Sequence, residues 1–341
     1  MTDANTPEAE QAAPMSRADA MPDALPIEEA AGLTRDVAEN VERVIVGHDE
    51  EVEHVLVALL ARGHVLLEDV PGVGKTMLAR AIAESIEGTF RRVQFTPDLL
   101  PSDVTGVNVF NQKTREFEFR PGPVFANVVL GDEINRAPPK TQSALLEAME
   151  EEQVTVDGTT HDVPKPFTVI ATQNSVEPSR TYELPIAELD RFMKRISLGY
   201  PDADEESEIL DRVVGVHPIE DLAAVVDTER FQRAIATTAA VTVEEAVRDY
   251  GTRLARYTRE NATLGVSPRG TIALMRASQA RAMLEGRDYV LPDDVQTEAP
   301  TVLSHRIRLS ASDERARSTR GTAGSGGREV VQEALERVPV E

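Results

Sequence analysis

HVLLEDVPGVGKTMLARAIAESI, residues 64–86, decides the fold. His64 to Val70 is a short apolar run of strand-forming residues, consistent with a buried parallel strand. Met77 to Ile86 has a helical pattern. Between them lies PGVGKT (71–76), so a glycine-rich loop joins a strand to a helix. In that context, successive backbone N–H groups and the positive end of the helix can wrap an anion. The strict phosphate-loop pattern is G-x-x-x-x-G-K-[ST], and its first glycine falls at Asp69. That position ends the strand, before the wrap begins, so the change weakens the pattern match more than the physics. Its carboxylate is a liability only if it faces the anion. Gly72 and Gly74 can take backbone angles closed to other residues. Lys75 offers a positive charge to β- and γ-phosphates, and Thr76 offers a hydroxyl to Mg²⁺.

The pattern repeats outward from this stretch. Strands are expected at 91–96, 127–133 and 166–174, hairpins at 106–123 and 153–163, and a Pro-opened helix at 137–152. Upstream, Val37, Val41, Val44 and Ile45 share one helical face, and 51–63 reads as a second helix. Alternating strands and helices predict an α/β fold, a parallel sheet flanked by helices. After residue 201 the strand signals fade, and 202–309 reads as a smaller all-α domain. The expected organisation is a disordered acidic arm over 1–31, an α/β core over 32–201, the helical domain over 202–309, and a flexible tail over 310–341 with one short helix near 328–338.

Three further elements bear on the loop. VVLGDEIN places Asp132 and Glu133 at the end of an apolar strand. There Asp132 can hold Mg²⁺ and Glu133 can polarise an attacking water as general base. Asn174 ends the next core strand, where its amide can touch a γ-phosphate. Arg191, in ELDRF, can reach a neighbouring subunit's nucleotide, and Arg269, in SPRG, can contact the γ-phosphate from the helical domain.

Composition sets outer bounds. Asp and Glu outnumber Lys and Arg 59 to 36, a formal charge of -23, which argues against a surface built broadly for nucleic acid. Only five of the bases are Lys, which fits either adaptation to high salt or an Arg-favouring coding bias. There is no Cys, so neither disulfides nor thiolate metal sites arise. No apolar run approaches the ~20 residues of a membrane span, and the N-terminus lacks the features of a secretory signal. A cytoplasmic protein is expected.

In order, the loop, acidic pair, Asn174, LDRF and SPRG resemble the AAA+ ATPases, and more narrowly the MoxR-type AAA+ ATPases. The resemblance runs through LLEDVPGVGKT (66–76), DEINRAPPKTQSALLEAMEE (132–151), FTVIATQN (167–174), TYELPIAELDRF (181–192), SPRGTIALMRA (267–277), GRDYVLPDDV (286–295) and VLSHRIRL (302–309), and covers residues 35 to 308. It implies that the α/β part is an AAA+ core and the helical part its lid. It implies ATP and Mg²⁺ as cofactors, held by the loop (Asp69, Val70, Pro71, Gly72, Val73, Gly74, Lys75, Thr76). Thr76 and Asp132 would serve the metal, and Asp132 and Glu133 would be the Walker B acids. Asn174 would be sensor 1, Arg191 the arginine finger and Arg269 sensor 2. Val46 and Gly47 would lie against adenine, and Arg136 would face a subunit boundary. It further implies a homo-oligomer, usually a hexameric ring, with a chaperone-like role on protein clients, often beside a von Willebrand factor A domain partner.

Gly131 departs from good strand-forming sequence and is expected to loosen the strand tip before Asp132. Two other readings compete: a nucleic-acid motor, for which the hairpin bases Lys113, Arg115 and Arg120 are nearly offset by Glu116 and Glu118, and a nucleotide-gated switch with little hydrolysis.

Overall fold

The structure, a computed structural model, describes residues 22–68, 70, 72–173, 182, 184–213, 218–310 and 326–340. In chain order the strands are β1 Val65–Glu68, β2 Phe90–Gln94, β3 Gly106–Asn111, β4 Glu116–Pro121, β5 Val128–Asp132, β6 Gln153–Val156, β7 Thr159–Asp162, β8 Thr168–Gln173 and β9 Lys194–Ile196. The helices are α1 Ile27–Glu42, α2 Asp49–Leu60, α3 Lys75–Ser85, α4 Pro101–Thr105, α5 Pro139–Glu151, α6 Ile186–Leu189, α7 Ala203–Val213, α8 Thr228–Ala240, α9 Glu245–Glu260, α10 Pro268–Leu284, α11 Pro292–Leu303 and α12 Gly326–Arg337.

Five strands form one parallel sheet in the order β2-β5-β8-β1-β9. Both faces are covered, which is why β1 reads as an unbroken apolar run rather than an alternating one. Val65 and Leu67 point into the core shared with α1, α2, α3 and the helical lid, whereas Leu66 points into a second core against α5. The C-terminal ends of β1, β5 and β8 therefore converge on one edge, where α/β sheets place their ligands. The hairpins β3–β4 and β6–β7 stand off the sheet as two separate two-stranded pairs, with Phe119 of one stacked on His161 of the other at 3.9 Å.

Three expectations need correction. The acidic arm does not extend to residue 31. α1 begins at Ile27, Leu25, Ala30 and Ala31 are buried, and Thr237 on α8 bonds both the N–H and the carbonyl of Leu25. Alanines give a weak hydropathy signal, and the helix start is marked only by Pro26. Residues 1–21 lie outside the described residues. The last helix is not part of a loose tail, because α12 buries Val330, Val331 and Ala334 in the core around α9 and α11. Nor does Gly131 loosen β5. It pairs with Val93 and Ala171, and an added Cβ would come within 3.2 Å of Leu145 and 3.4 Å of Phe95. The glycine lets two large side chains close over the strand.

Buried ionic groups tie lid to core. Lys194 on β9 pairs with Glu298 on α11, which also accepts from Arg281 on α10 at 2.9 Å, while Arg281 reaches Glu53 on α2 at 2.5 Å. Lys194 also donates to His54 Nδ1 at 2.9 Å. Burial, reinforced by Lys194, holds His54 neutral, with its pKa lowered to about 3. Burial likewise lowers His64 to about 4, where the ring accepts from Val169 N–H and donates to the Met149 carbonyl. Burial and the adjacent Arg306 guanidinium depress His305 well below its usual value.

These three histidines stay neutral in the fold but titrate near pH 6.5 once unfolded. Between the unfolded and folded values the unfolded chain binds more protons, so stability falls as pH drops below about 6.5. Each histidine contributes a slope of about 1.4 kcal/mol per pH unit in that window. Urea midpoints measured from pH 7 to 5 should fall steeply, with about three protons taken up on unfolding. A flat profile would contradict the buried neutral state.

Candidate active site

The loop between β1 and α3 is held from below and open above. Val73 is buried in the main core. On either side, Gly72 and Gly74 adopt φ of 91° and 90°, a left-handed region that favours glycine. An added Cβ on either would meet nothing within 4 Å, so the loop overhangs empty space. Gly74 caps α3 without a side-chain bond, and no acid stands in that helix's first turn. The first turns of α1, α2 and α7, by contrast, carry Glu28 and Glu29, Asp49 to Glu51, and Asp204 to Glu206. The positive end of α3 is thus left to an external anion. Lys75 Nζ donates to the Val70 carbonyl at 2.8 Å, folding its side chain back along the loop.

Opposite the loop, β5 delivers both acids. Asp132 Oδ1 accepts from Thr172 Oγ1 on β8 at 2.6 Å, and its Oδ2 accepts from Arg92 on β2 at 2.5 Å. Glu133 has φ 57°, unusual for a residue with a side chain. This turn places its carboxylate beside Gln94 and Arg136. It is held there by the Thr172 hydroxyl, which accepts the Glu133 N–H at 2.8 Å, and by Gln94 and Arg136, which donate to Oε2 at 2.8 and 2.7 Å. Arg136 therefore faces an acid of its own chain. Gly72, Gly74, Lys75, Thr76, Asp132 and Glu133 line a common cleft of about 430 Å³, with Arg92, Gln94 and Thr172 across it.

The remaining candidates sit elsewhere. Val46 is buried and Gly47 takes φ 76°, with the Glu205 carboxylate packed where a Gly47 Cβ would go. Neither lines the cleft. Asp69, Pro71 and Asn174 lie outside the described residues. Arg191 and Arg269 are together, but in a second cavity of about 940 Å³ lined also by Gly63, His64 and Met193. Those last residues precede β1 and β9, so this cavity lies at the N-terminal end of the sheet, opposite the loop. Arg191 Nε is 3.4 Å from Glu150 Oε2, and Arg269 bonds the other oxygen of the same carboxylate.

Sequence reading missed Arg92, Gln94 and Thr172. The alternation of RRVQ on β2 was the available signal. Arg92 and Gln94 share a face, and the register Gln94↔Asp132 brings that face to the acids. Which strand lies beside β5 follows only from the sheet order.

A cradle of open glycines, a cation, a hydroxyl and two convergent acids suits a nucleotide phosphate with a divalent metal. The comparisons agree. Residues 64–194 match the ATPase family associated with various cellular activities (AAA), and residues 254–323 match the AAA lid domain. The chain is 55% identical over 276 residues to the protein YeaC of Bacillus subtilis, covering 80% of this chain and 85% of that one. It is 44% identical over 283 residues to chaperone MoxR1 of Mycobacterium tuberculosis, covering 79% and 74%. The crystal structure of a candidate ATPase from Cytophaga hutchinsonii superposes with a TM-score of 0.85 at 36% identity, covering 93% of this chain and 97% of that chain. This chain belongs to the MoxR family of AAA+ ATPases, with an AAA+ parallel-sheet core followed by a helical lid.

Proposed function

We propose that the protein binds ATP with Mg²⁺ in the loop cleft and hydrolyses it within a homo-oligomeric ring, usually six copies, using the cycle to remodel or mature partner protein complexes. The observation that carries this reading is the separation of the two cavities. In a parallel sheet, residues before β1 and β9 and residues after β1 and β5 lie at opposite ends. At ~3.3 Å per residue the five or so residues between His64 and the loop span roughly 16 Å. Arg191 and Arg269 therefore have no path to their own chain's phosphates. Set against the next copy, they would meet that copy's cleft. Their grip on Glu150 is part-exposed and worth at most about 1 kcal/mol, so it is readily exchanged for a triphosphate.

In this reading the loop, Asp69 to Thr76, cages the phosphates, with Lys75 on the β- and γ-groups. Thr76 and Asp132 would hold Mg²⁺, which neutralises charge on the phosphate oxygens when bound. Glu133 orients the attacking water, assisted by Asn174, and Val46 and Gly47 border adenine. The core is taken to begin with α1 at Ile27 and to run to residue 201, and the lid to span 202–309 with α12 packed onto it. A chaperone role is supported by the name of the MoxR1 relative, and a von Willebrand factor A domain protein is the expected kind of client. Among the described residues no helix is long and apolar enough to cross a membrane.

The test is calorimetry with Mg²⁺ and ATP together with phosphate release. The wild type should bind and turn over ATP. Lys75→Ala should lose both, because the loop's only side-chain cation is gone. A wild type that is folded yet shows neither heat of association nor phosphate release would overturn the reading.

A further inference from the structure

We infer that Arg306, Asp190 and Ser267 form a positioning device that fixes Arg191 of the core and Arg269 of the lid in one geometry. This rests on the reading of a nucleotide site shared between copies. Arg306 follows α11 in the lid and is 3% exposed. Four of its hydrogen bonds go to the segment that carries Arg191. Nε donates to Asp190 Oδ1 at 2.7 Å, Nη2 to the carbonyls of Asp190 and Phe192 at 3.0 and 2.7 Å, and Nη1 to the Met193 carbonyl at 3.2 Å. Nη1 also bonds the Val302 carbonyl, holding the arginine to its own helix. Backbone carbonyls before and after Arg191, those of Asp190, Phe192 and Met193, are thereby bonded to the lid.

The second half of the device fixes Arg269. Asp190 Oδ2 accepts from Ser267 Oγ at 2.9 Å. The same hydroxyl accepts the Gly270 N–H at 3.2 Å and so caps α10, whose first turn contains Arg269. Gly270 gives a separate reason for the SPRG spelling. A Cβ there would lie 2.7 Å from Arg306 Cδ and 3.0 Å from its Nε. The glycine leaves the channel through which Arg306 passes α10 to reach Asp190. One carboxylate thus joins a core loop, a lid helix cap and a buried arginine, and the two arginines on Glu150 project from the joined pieces. None of the three residues lines the loop cleft, so each is a positioning residue whose effect should appear in a neighbour's site.

The test uses the full chain carrying Asp190→Asn, which keeps shape and removes the charge, and Arg306→Lys, which keeps charge and loses the fork. Ser267→Ala is a milder third variant for use if either of the others fails to fold. Arg191→Ala is the control. Each folded variant should bind ATP with wild-type affinity and show an unchanged KM. Its kcat should fall about 10- to 100-fold, the size expected for a small misplacement of a reacting group. Mixing a variant with Lys75→Ala protomers should restore turnover, because the Lys75→Ala copy supplies correctly held arginines to the variant's intact loop. A defect in general packing would not be rescued in this way. If Arg191→Ala is inactive while the folded variants match the wild type, the positioning role is wrong and the shared site stands. A loss of kcat without rescue also overturns the positioning role. If Arg191→Ala turns over normally, the shared site fails and this inference fails with it.

Discussion

Arg191→Ala is expected to bind ATP as tightly as the wild type and to hydrolyse it about 10³- to 10⁵-fold more slowly, the range for an arginine that stabilises transferring phosphate charge. This loss corresponds to roughly 4–7 kcal/mol of barrier. Binding survives because Arg191 sits at the end of the sheet away from its own loop, on Glu150 beside Arg269. Hydrolysis fails because charge on the neighbour's γ-phosphate would go unmatched at the transition state. Mixing with Lys75→Ala should recover part of the activity, since in the proposed ring some boundaries would have an intact loop on one side and an intact Arg191 on the other. Single-turnover phosphate release at several mixing ratios measures this. No recovery at any ratio would mean that Arg191 acts within its own chain or not at all.

Glu133→Gln should give the second large effect, a loss of about 10²- to 10⁴-fold in turnover with ATP still bound. The amide keeps the size of the side chain and can still meet Gln94, but it cannot take a proton from water. The left-handed backbone at residue 133, fixed by the Thr172 hydroxyl, should hold the Gln carbonyl where the carboxylate was. Trapped ATP, visible as a slow nucleotide off-rate in Mg²⁺, would separate this outcome from misfolding. Equal and near-zero turnover in the wild type and Glu133→Gln would instead favour a nucleotide-gated switch. That reading has a structural basis, because Gln94 and Arg136 both occupy the Glu133 carboxylate.

Much of the fold was legible because its signals are local. The apolar run before PGVGKT, the Asp157-Gly158 turn and the Pro-opened α5 each depend on a few neighbouring residues, and each element lies where the sequence pattern placed it. Failures came where the signal was weak or remote. The first turns of α1 carry little signal because alanines make up part of its buried face. The role of Gly131 is not legible locally, because the side chains that need its smallness, Phe95 and Leu145, come from other parts of the chain. Arg92 became a partner of Asp132 only through the pairing of β2 with β5.

By itself the sequence determined a strand, a glycine loop and a helix, and two acids at a strand's tip. These are short-range matters of backbone freedom, charge and periodicity. Tertiary structure alone decided that the acids face the loop across one cleft and that Arg191 and Arg269 face away from it. The direction of a side chain is set by sheet order and by which ends of parallel strands coincide, and those depend on pairings between residues far apart in the chain.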